Sequence, residues 1–372
     1  WLFDQFVYQH QFPEVRTAWT WEDARLEVVL EQVGAGEPLS APVEVEIGTH
    51  SETRTYQVWL EGGSSKLLVE LPQPPAWVAV DPQGTLLGAL TEDQHPQAWV
   101  QQLRHSQSPY AQLVAMAYLG EGEGGEEAVQ ALASVLRDRD HNGHFRYYAA
   151  HALGRIAVPS AVEVLTDAAD DPSERVREGV AAGLGKVPVD GAIAKTLEDL
   201  FRGDPDALVR AAALRALVHQ DRDRTMWLAR RRVSQPDVAA SAWELGAAID
   251  VLGEEGDESD MGRLLPLTGR KVPHDLRIAA LVGTVTLLEK VENEDRRERL
   301  RGKISRRLEP LLEDRDLRVR SHGVALLGQV GDEAAAATLT AYAHSTTIDW
   351  VRETALEGAA SIRTRGQEPR RH

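Results

Sequence analysis

The feature that most constrains the fold is a sequence pattern that recurs about every 31–34 residues through the second half of the chain. Each copy opens on an Asp, continues with Val or Leu at three- and four-residue spacing, carries an Arg, and ends in a run of small residues. The clearest copies begin at Asp171, Asp204 and Asp314. A fixed period of roughly 20–50 residues is typical of a solenoid, in which each repeat packs only on its neighbours.

Each part of the repeat has a physical role that predicts paired helices. The opening Asp, which Pro follows in two of these copies, is expected to cap a helix start. The Ala and Gly runs allow neighbouring helices to approach closely, and the Arg of each copy is expected to pair with the Asp of the next copy. Residues 125–364 therefore resemble HEAT repeats, each built of two antiparallel helices. The repeated arginines are Arg146, Arg177, Arg210, Arg277, Arg320 and Arg352.

Before the repeats, apolar residues recur at every second position instead of at helical spacing. Residues 19–30 and 43–47 alternate apolar with polar side chains, as in strands with one wet face, and residues 81–84 have the composition of a type I turn. About six short strands are expected, the last over residues 85–90. They predict a small antiparallel β-sandwich over residues 13–92.

The predicted fold class is therefore mostly α: an α-solenoid of HEAT-like repeats preceded by a small antiparallel β-sandwich. Residues 1–12 are predicted to be the terminal helix of a missing catalytic domain, because their apolar residues have helical spacing and Pro13 follows. Residues 93–124 are predicted as a helical linker and residues 365–372 as a disordered tail. Because the chain begins with Trp1 inside a predicted helix, we expect it to be a fragment or a processed product.

Composition narrows the classes of protein to which the chain can belong. The formal net charge is −17, and the first 95 residues carry 4 Lys and Arg against 15 Asp and Glu. Such a chain is expected to repel nucleic acid and anionic membranes, so neither is predicted as a partner. No run of about 18 apolar residues occurs, which predicts no membrane span. Cysteine is absent, which excludes disulfides, thiolate metal sites and cysteine nucleophiles.

The front of the chain carries a second resemblance. Its segments resemble the junction between the catalytic domain and the β-sandwich of M1-family zinc aminopeptidases, some bacterial members of which end in HEAT-like repeats. The resemblance implies that the chain is the C-terminal portion of such an enzyme. The segments that carry it are WLFDQFVYQHQFPEV at 1–15, WTW at 19–21, PVEVEI at 42–47, VWLEG at 58–62 and WVAVDP at 77–82.

The same resemblance implies where the chemistry lies. The family holds zinc with a His-Glu-x-x-His helix and a third Glu, and the intervening Glu is the general base. None of the 12 histidines here is followed by Glu, so no catalytic or cofactor-binding residue is assigned and zinc is expected only in the missing catalytic domain. The implied partners are that catalytic domain, which the chain would brace, and the peptide substrate, whose access the repeats would restrict.

Two other predictions of function remain open. The alternative is a HEAT-repeat scaffold for protein partners with no enzymatic activity, such as a catalytically dead relative of the same family, because HEAT arrays offer long binding surfaces. A HEAT-like lyase acting on a chromophore is a weaker alternative, since it leaves the sandwich unexplained.

One loop carries the candidate metal ligands. Asp138, Asp140, Asn142 and His144 match the opening of an EF-hand calcium loop, but the twelfth position is Ala149, where a bidentate Glu is needed. The same aspartates with two histidines form an alternative transition-metal set, Asp138, Asp140, His141 and His144. Both interpretations compete with a helix-capping turn, which the repeat pattern favours.

Two groups of charged or glycine-rich residues have a functional and a structural interpretation. Residues 120–125 fit G-x-G-x-x-G, but no strand precedes them and the neighbouring glutamates favour a flexible linker over a phosphate loop. Residues 230–232 and 296–307 are the cationic runs. They could dock an acidic partner or a peptide carboxylate, and the nearby acidic residues favour solvated helix faces.

The aromatic and histidine candidates also favour structural roles. Trp19 and Trp21 could stack on carbohydrate, but burial between two sheets is the commoner role of such residues. His151 and His322 fall within the small-residue runs of their repeats. We expect them to be inner-face residues with satisfied hydrogen bonds rather than catalytic groups.

Overall fold

A computed structural model describes residues 12, 14–34, 38–122, 124–235 and 242–367. These residues form seven strands followed by sixteen α-helices, which confirms a mostly helical chain preceded by a small β-sandwich. They divide into two compact units, one ending at Pro188 and one beginning at Val189. Within this described part, no helix is both long enough and apolar enough to cross a membrane. The helix predicted over residues 1–12 lies, except for Phe12, outside the described residues.

The seven strands form two sheets. One sheet has the order β5-β2-β1-β7 and the other the order β4-β3-β6. Neighbouring strands are antiparallel except β1 and β7, which run parallel with Glu14 opposite Ala89. The strands are β1 (Glu14–Glu22), β2 (Arg25–Val33), β3 (Ala41–Gly48), β4 (Thr53–Leu60), β5 (Ser64–Glu70), β6 (Trp77–Val80) and β7 (Ala89–Asp93).

The two sheets share one apolar core because each strand alternates inward and outward side chains. Trp19 and Trp21 are partly buried against this core, and the indole N–H of Trp21 donates to the carbonyl of Leu71 at 2.9 Å. Burying each aliphatic side chain contributes roughly 1.5–3 kcal/mol. The fully enclosed members include Val15, Leu26, Val28, Leu30, Val43, Val45, Ile47 and Leu60.

The strand ends differ from the sequence prediction at two places. Residues 19–30 form two strands, because Asp23 and Ala24 adopt φ values of +50° and +60° and close a tight β1–β2 hairpin. Neither residue is a glycine, which in the sequence would have indicated a two-residue hairpin turn. The last strand begins at Ala89 instead of residue 85, because the Asp81 carboxylate accepts hydrogen bonds from the backbone N–H groups of Thr85 and Leu86 at 2.9 and 2.8 Å.

The first unit continues with six helices that pack as successive hairpins. Helix α1 packs on α2 and α3, α2 on α4, α3 on α4 and α5, and α4 on α5 and α6. Each helix therefore contacts its sequence neighbour or the helix after that, as stacked repeats require. The helices are α1 (Pro96–His105), α2 (Pro109–Leu119), α3 (Gly125–Arg137), α4 (Gly143–Ile156), α5 (Pro159–Asp167) and α6 (Glu174–Leu184).

The second unit has the same packing pattern. The even-numbered helices α8, α10, α12, α14 and α16 contact one another in order, and the odd-numbered helices α7, α9, α13 and α15 pack beside them. These helices are α7 (Gly191–Gly203), α8 (Ala207–Gln220), α9 (Arg222–Ser234), α10 (Ala242–Glu255), α11 (Met261–Leu264), α12 (His274–Glu289), α13 (Glu294–Leu308), α14 (Leu317–Val330), α15 (Glu333–Ser345) and α16 (Asp349–Gln367).

Glycines face each other where successive even-numbered helices meet. A Cβ added at Gly253 would lie 2.7 Å from the Cα of Gly283, and one added at Gly328 would lie 2.7 Å from the Cα of Gly358. Such distances are well inside van der Waals contact, so these helix backbones touch directly. The facing pairs are Gly154 with Gly183, Gly253 with Gly283, and Gly328 with Gly358.

The Asp that opens each repeat acts differently from the sequence prediction. The N-caps of α6, α8 and α14 are Ser173, Asp206 and Asp316, two residues after the opening Asp in each case. The side chains of Asp204 and Asp314 instead accept from the backbone N–H of those cap residues, at 2.9 and 3.0 Å. The prediction that the opening Asp is the cap was therefore wrong by two positions, because Asp shapes the turn before the cap.

Two segments, predicted as a helical linker and as a disordered tail, can be compared with the helices of the structure. Residues 93–124 contain α1 and α2 and the loop that follows, with Glu123 outside the described residues. Helix α16 runs to Gln367, three residues into the segment 365–372 that was predicted as a disordered tail. Residues 368–372 lie outside the described part.

Candidate functional surfaces

The sandwich and the first two helices are joined by a well-packed interface. Trp77 and Ala79 of β6 form a buried cluster with Ala98 of α1 and Ala111 of α2. The hydroxyl of Ser108, at the start of α2, donates to the carbonyl of Pro82. Sheet and repeat helices therefore share both apolar contacts and a buried hydrogen bond, which fixes their relative position within the first unit.

Glu92 is a buried carboxyl group at this interface. It is 7% exposed, and its Oε2 accepts from the backbone N–H of Val80 at 2.9 Å. Burial raises the pKa of Glu92 to about 8, with a smaller contribution from the negative charge of Asp81. The backbone N–H of Glu92 donates to the hydroxyl of Tyr118 on α2 at 3.0 Å, and the Tyr118 ring stacks on Trp99 with centroids 4.2 Å apart.

Buried ion pairs join neighbouring repeats at two of the predicted arginine positions. Arg146 binds the Asp171 carboxylate through both terminal nitrogens, at 2.5 and 3.2 Å, and donates to the carbonyl of Leu136. Arg277 pairs with Asp314 at 2.7 Å, and this hydrogen bond lowers the pKa of Asp314. The prediction that Arg pairs with the Asp of the next copy is correct at these two positions.

At other copies the repeated Arg has a different main partner. Arg210 pairs with Glu244 at 2.9 Å and donates to the carbonyl of Asp204 at 2.7 Å. Arg320 donates to the carbonyl of Asp314 at 2.7 Å in the same way. In these copies the guanidinium group bonds the carbonyl group six residues earlier and so stabilises the loop before its own helix. The repeat spacing did not predict this bond.

Of the residues predicted as candidate metal ligands, Asp138, Asp140 and Asn142 lie between α3 and α4, and His144 lies in the first turn of α4. Asn142 is the N-cap of α4 and accepts from the backbone N–H groups of His144 and Phe145 at 2.8 and 3.1 Å. The carboxylate of Asp138 accepts from the backbone N–H of Asp140 at 2.9 Å. Among the described residues, no group of three His, Cys, Asp or Glu is arranged to hold a metal ion.

Several arginines of the two cationic runs form ion pairs. Arg230 pairs with Asp260 at 2.9 Å, and Arg232 pairs with Glu244 at 2.8 Å. Arg231 instead lies over the ring of Trp227, 5.4 Å from its centroid. On α13, the arginines 296, 297 and 301 pair with Glu258, Glu294 and Glu298.

The two histidines of the repeats have different surroundings. The Nδ1 atom of His322 lies 2.8 Å from the carbonyl oxygen of Arg318, one helical turn earlier. The Nε2 atom of His151 lies 2.8 Å from Nζ of Lys186, which follows α6. Burial and then the positive charge of Lys186 lower the pKa of His151, and burial and then Arg155 lower the pKa of Lys186.

His151 belongs to a partly exposed patch of basic and aromatic side chains, which we call the α4–α6 face. It consists of Tyr147, Tyr148, His151 and Arg155 on α4 and Lys186 after α6. Tyr148 is 50% exposed and meets Tyr147 edge-on, with centroids 5.4 Å apart. The Tyr147 ring also stacks on His151, with centroids 6.1 Å apart.

The family model described as HEAT repeats matches residues 96–185 and 142–218, which confirms the HEAT-like character of this part of the chain. The match begins at residue 96 and so includes the helices of the segment that was predicted as a linker. No curated protein matches the sequence.

Several solved structures match this chain at low sequence identity. Aminopeptidase A of Legionella pneumophila, in complex with aspartic acid, is 10% identical over 94% of this chain and 49% of its own, with a TM-score of 0.48. Human deoxyhypusine hydroxylase is 18% identical over 72% of this chain and 96% of its own, with a TM-score of 0.33. The chain thus spans about half the length of that aminopeptidase. TM-scores below 0.5 do not establish a shared function.

Proposed function

We propose that this chain is the non-catalytic C-terminal part of a zinc-dependent M1-type aminopeptidase, where it braces the catalytic domain and restricts the access of peptides. The proposal rests on the resemblance of residues 1–15 and of the strand segments to that family. One structural observation supports it most: the β-sandwich is fixed to the first repeat helices by the Trp77 cluster and the Ser108 hydrogen bond.

That packing suits a brace. A sandwich that contacted the helices only through a flexible linker could not hold a neighbouring domain in place. Here the buried cluster around Trp77, the bond from Ser108 to Pro82 and the bond from Glu92 to Tyr118 act at separate points of one interface. Residues 14–93 and the helices α1 and α2 are therefore expected to move together.

The histidines of this chain decide where we assign the zinc site. Since no histidine is followed by Glu, the His-Glu-x-x-His zinc motif is absent from the 372 residues. We assign zinc, and the steps that need it, to the catalytic domain. The partners of this chain are then that domain and the peptide substrate.

The test uses the complete gene product. We expect it to release amino acids from aminoacyl 4-nitroanilides in a zinc-dependent way, whereas the 372-residue chain alone releases none. Ser108→Ala, which removes the bond to Pro82, should lower the activity of the complete protein without removing its zinc. The matched control is Ser160→Ala on α5, a serine that bonds only Glu126 in the described structure. Amino acid release by the 372-residue chain alone would refute the proposal.

A second candidate function is a HEAT-repeat scaffold for protein partners without enzymatic activity. Half-exposed aromatic side chains on helix faces favour it, because such side chains are enriched at protein interfaces. Tyr148, Trp227 and Trp350 are 50%, 46% and 52% exposed. A complete gene product without zinc ligands that captures one partner at a stoichiometric ratio would select this function over the first.

A further inference from the structure

One basic group of the α4–α6 face, Lys186, has no carboxylate counter-ion among the described residues. Lys186 Nζ lies 2.8 Å from His151 Nε2, and within the described residues Lys186 forms no ion pair with a carboxylate. Arg155 pairs with Glu121 at 3.3 Å, but both of these side chains are exposed. The Lys186 ammonium group therefore lies beside an imidazole nitrogen and has no carboxylate partner among the described residues, in a protein whose net charge is −17.

We propose that the α4–α6 face is a docking surface for an acidic segment of a partner polypeptide. Charge complementarity selects this occupant, because a carboxylate placed beside Lys186 and His151 supplies the negative charge that the face lacks. The inference does not depend on the proposed aminopeptidase role, since it needs only the surface of α4 and α6.

The exposed aromatic side chains favour a polypeptide over a small anion as the partner. Tyr148 is half-exposed next to the basic groups, and its ring is held edge-on by Tyr147. Tyrosine offers a rigid apolar face with a hydroxyl group, which is the composition of interface hot spots. An apolar or aromatic residue next to the acidic residues of the partner can pack there.

The acidic groups near the face are bonded to arginines instead of to Lys186 or His151. On α6, Glu178 pairs with Arg175 at 2.7 Å and lies near Tyr147. Glu121, from the loop after α2, is held by Arg155. Neither glutamate is bonded to Lys186 or His151 in the described structure. A bound carboxylate is therefore expected to raise the pKa of His151 from its lowered value.

The test uses a short peptide of alternating Glu and Phe, acetylated and amidated at its ends so that only side-chain carboxylates are present. Binding to the full chain is measured by isothermal titration calorimetry at low salt. Its counterpart with Gln in place of Glu is measured in the same way. We expect the Glu peptide to bind and to weaken as salt is added, and the Gln peptide to bind much more weakly.

Two variants locate the site. Lys186→Gln and Tyr148→Ala should each weaken the Glu peptide by up to about fivefold, as loss of one partly exposed contact does. The control is Lys195→Gln, an exposed lysine on α7, which should change nothing. NMR titration of His151 should show its pKa rising when the Glu peptide binds. Equal binding of both peptides, no effect of Lys186→Gln, or displacement by inorganic phosphate at similar affinity would overturn the proposal.

Discussion

Gly328 on α14 and Gly358 on α16 face each other so closely that a Cβ added at Gly328 would lie 2.7 Å from the Cα of Gly358. The atom that such a Cβ would meet belongs to the backbone, which cannot rotate away. We therefore predict that Gly328→Ala lowers the free energy of unfolding by about 1–3 kcal/mol, the usual cost of overpacking a tight contact. Urea denaturation followed by circular dichroism measures this change.

Gly302 provides the matched control on α13 of the same unit. A Cβ added there meets nothing within 4 Å. Gly302→Ala should raise the free energy of unfolding by about 0.5–1 kcal/mol, because Ala restricts the unfolded chain and favours a helix. If both variants were equally stable, the close glycine contact would not contribute to the packing of the repeats.

The pair of Arg146 and Asp171 predicts a large effect of removing one partner. Both side chains are buried, so Arg146→Met leaves the Asp171 carboxylate without its counter-ion and removes the bond to Leu136. We expect this variant to lose about 3–5 kcal/mol of stability. Denaturation in guanidinium chloride checks this value.

Arg54 and Glu52 form the comparison pair, since both side chains are about half-exposed. Arg54→Met should cost far less stability than Arg146→Met, because water and salt screen an exposed ion pair.

Adding Asp171→Asn to Arg146→Met should restore part of the loss, because the double variant has no unpaired buried charge. A double variant as unstable as the sum of its single variants would contradict this explanation.

Glu92 predicts a dependence of stability on pH. Its folded pKa of about 8 lies above the ordinary value of 4.5, so the folded protein binds more protons than the unfolded chain between these values. The stability that Glu92 contributes is therefore present at low pH and is lost as pH rises toward 8. In Glu92→Gln, where the side chain stays neutral and can still accept from Val80, this loss should be absent.

The measurement compares the unfolding free energies of the parent chain and of Glu92→Gln at pH 5 and pH 8. From pH 5 to pH 8, the unfolding free energy of the parent chain should fall by up to a few kcal/mol relative to that of Glu92→Gln, because only the parent ionises a buried carboxyl group. A difference between the two proteins that stays constant with pH would show that Glu92 titrates normally.

The turn before α4 predicts a capping effect. Asn142→Ala removes the side-chain oxygen that accepts from His144 and Phe145, and should cost about 1 kcal/mol. Thermal unfolding of both proteins is measured with and without added calcium or zinc. If Asp138, Asp140, Asn142 and His144 bind a metal, the ion should raise the melting temperature of the parent chain more than that of the variant.

Much of the fold could be predicted from the sequence because the repeat is regular. The Arg146 and Asp171 pair followed from the repeat, since a fixed period places the Arg of one copy near the opening Asp of the next copy. The turn at Asp23 and Ala24 could not be predicted, because Asp23 is followed by Ala24 instead of a glycine, and alanine does not signal a positive φ. Nor could the identity of the cap, since Asp204 and Asp206 are both good cap residues two positions apart.

The candidate surfaces were less predictable than the fold. The contact of His151 with Lys186 joins residues 35 positions apart, and the sequence placed His151 only on an inner face. The raised pKa of Glu92 depends on the burial of its side chain, which charge patterns do not show. Long-range contacts of this kind need the packing of several elements to be known first.

We propose above that this chain serves an M1-type zinc aminopeptidase. The most direct measurement is to sequence the coding DNA upstream of the codon for Trp1. We expect an open reading frame that encodes a His-Glu-x-x-His motif with a further Glu downstream of it, in frame with this chain. A frame that lacks these zinc ligands, or that begins close to Trp1, would contradict it.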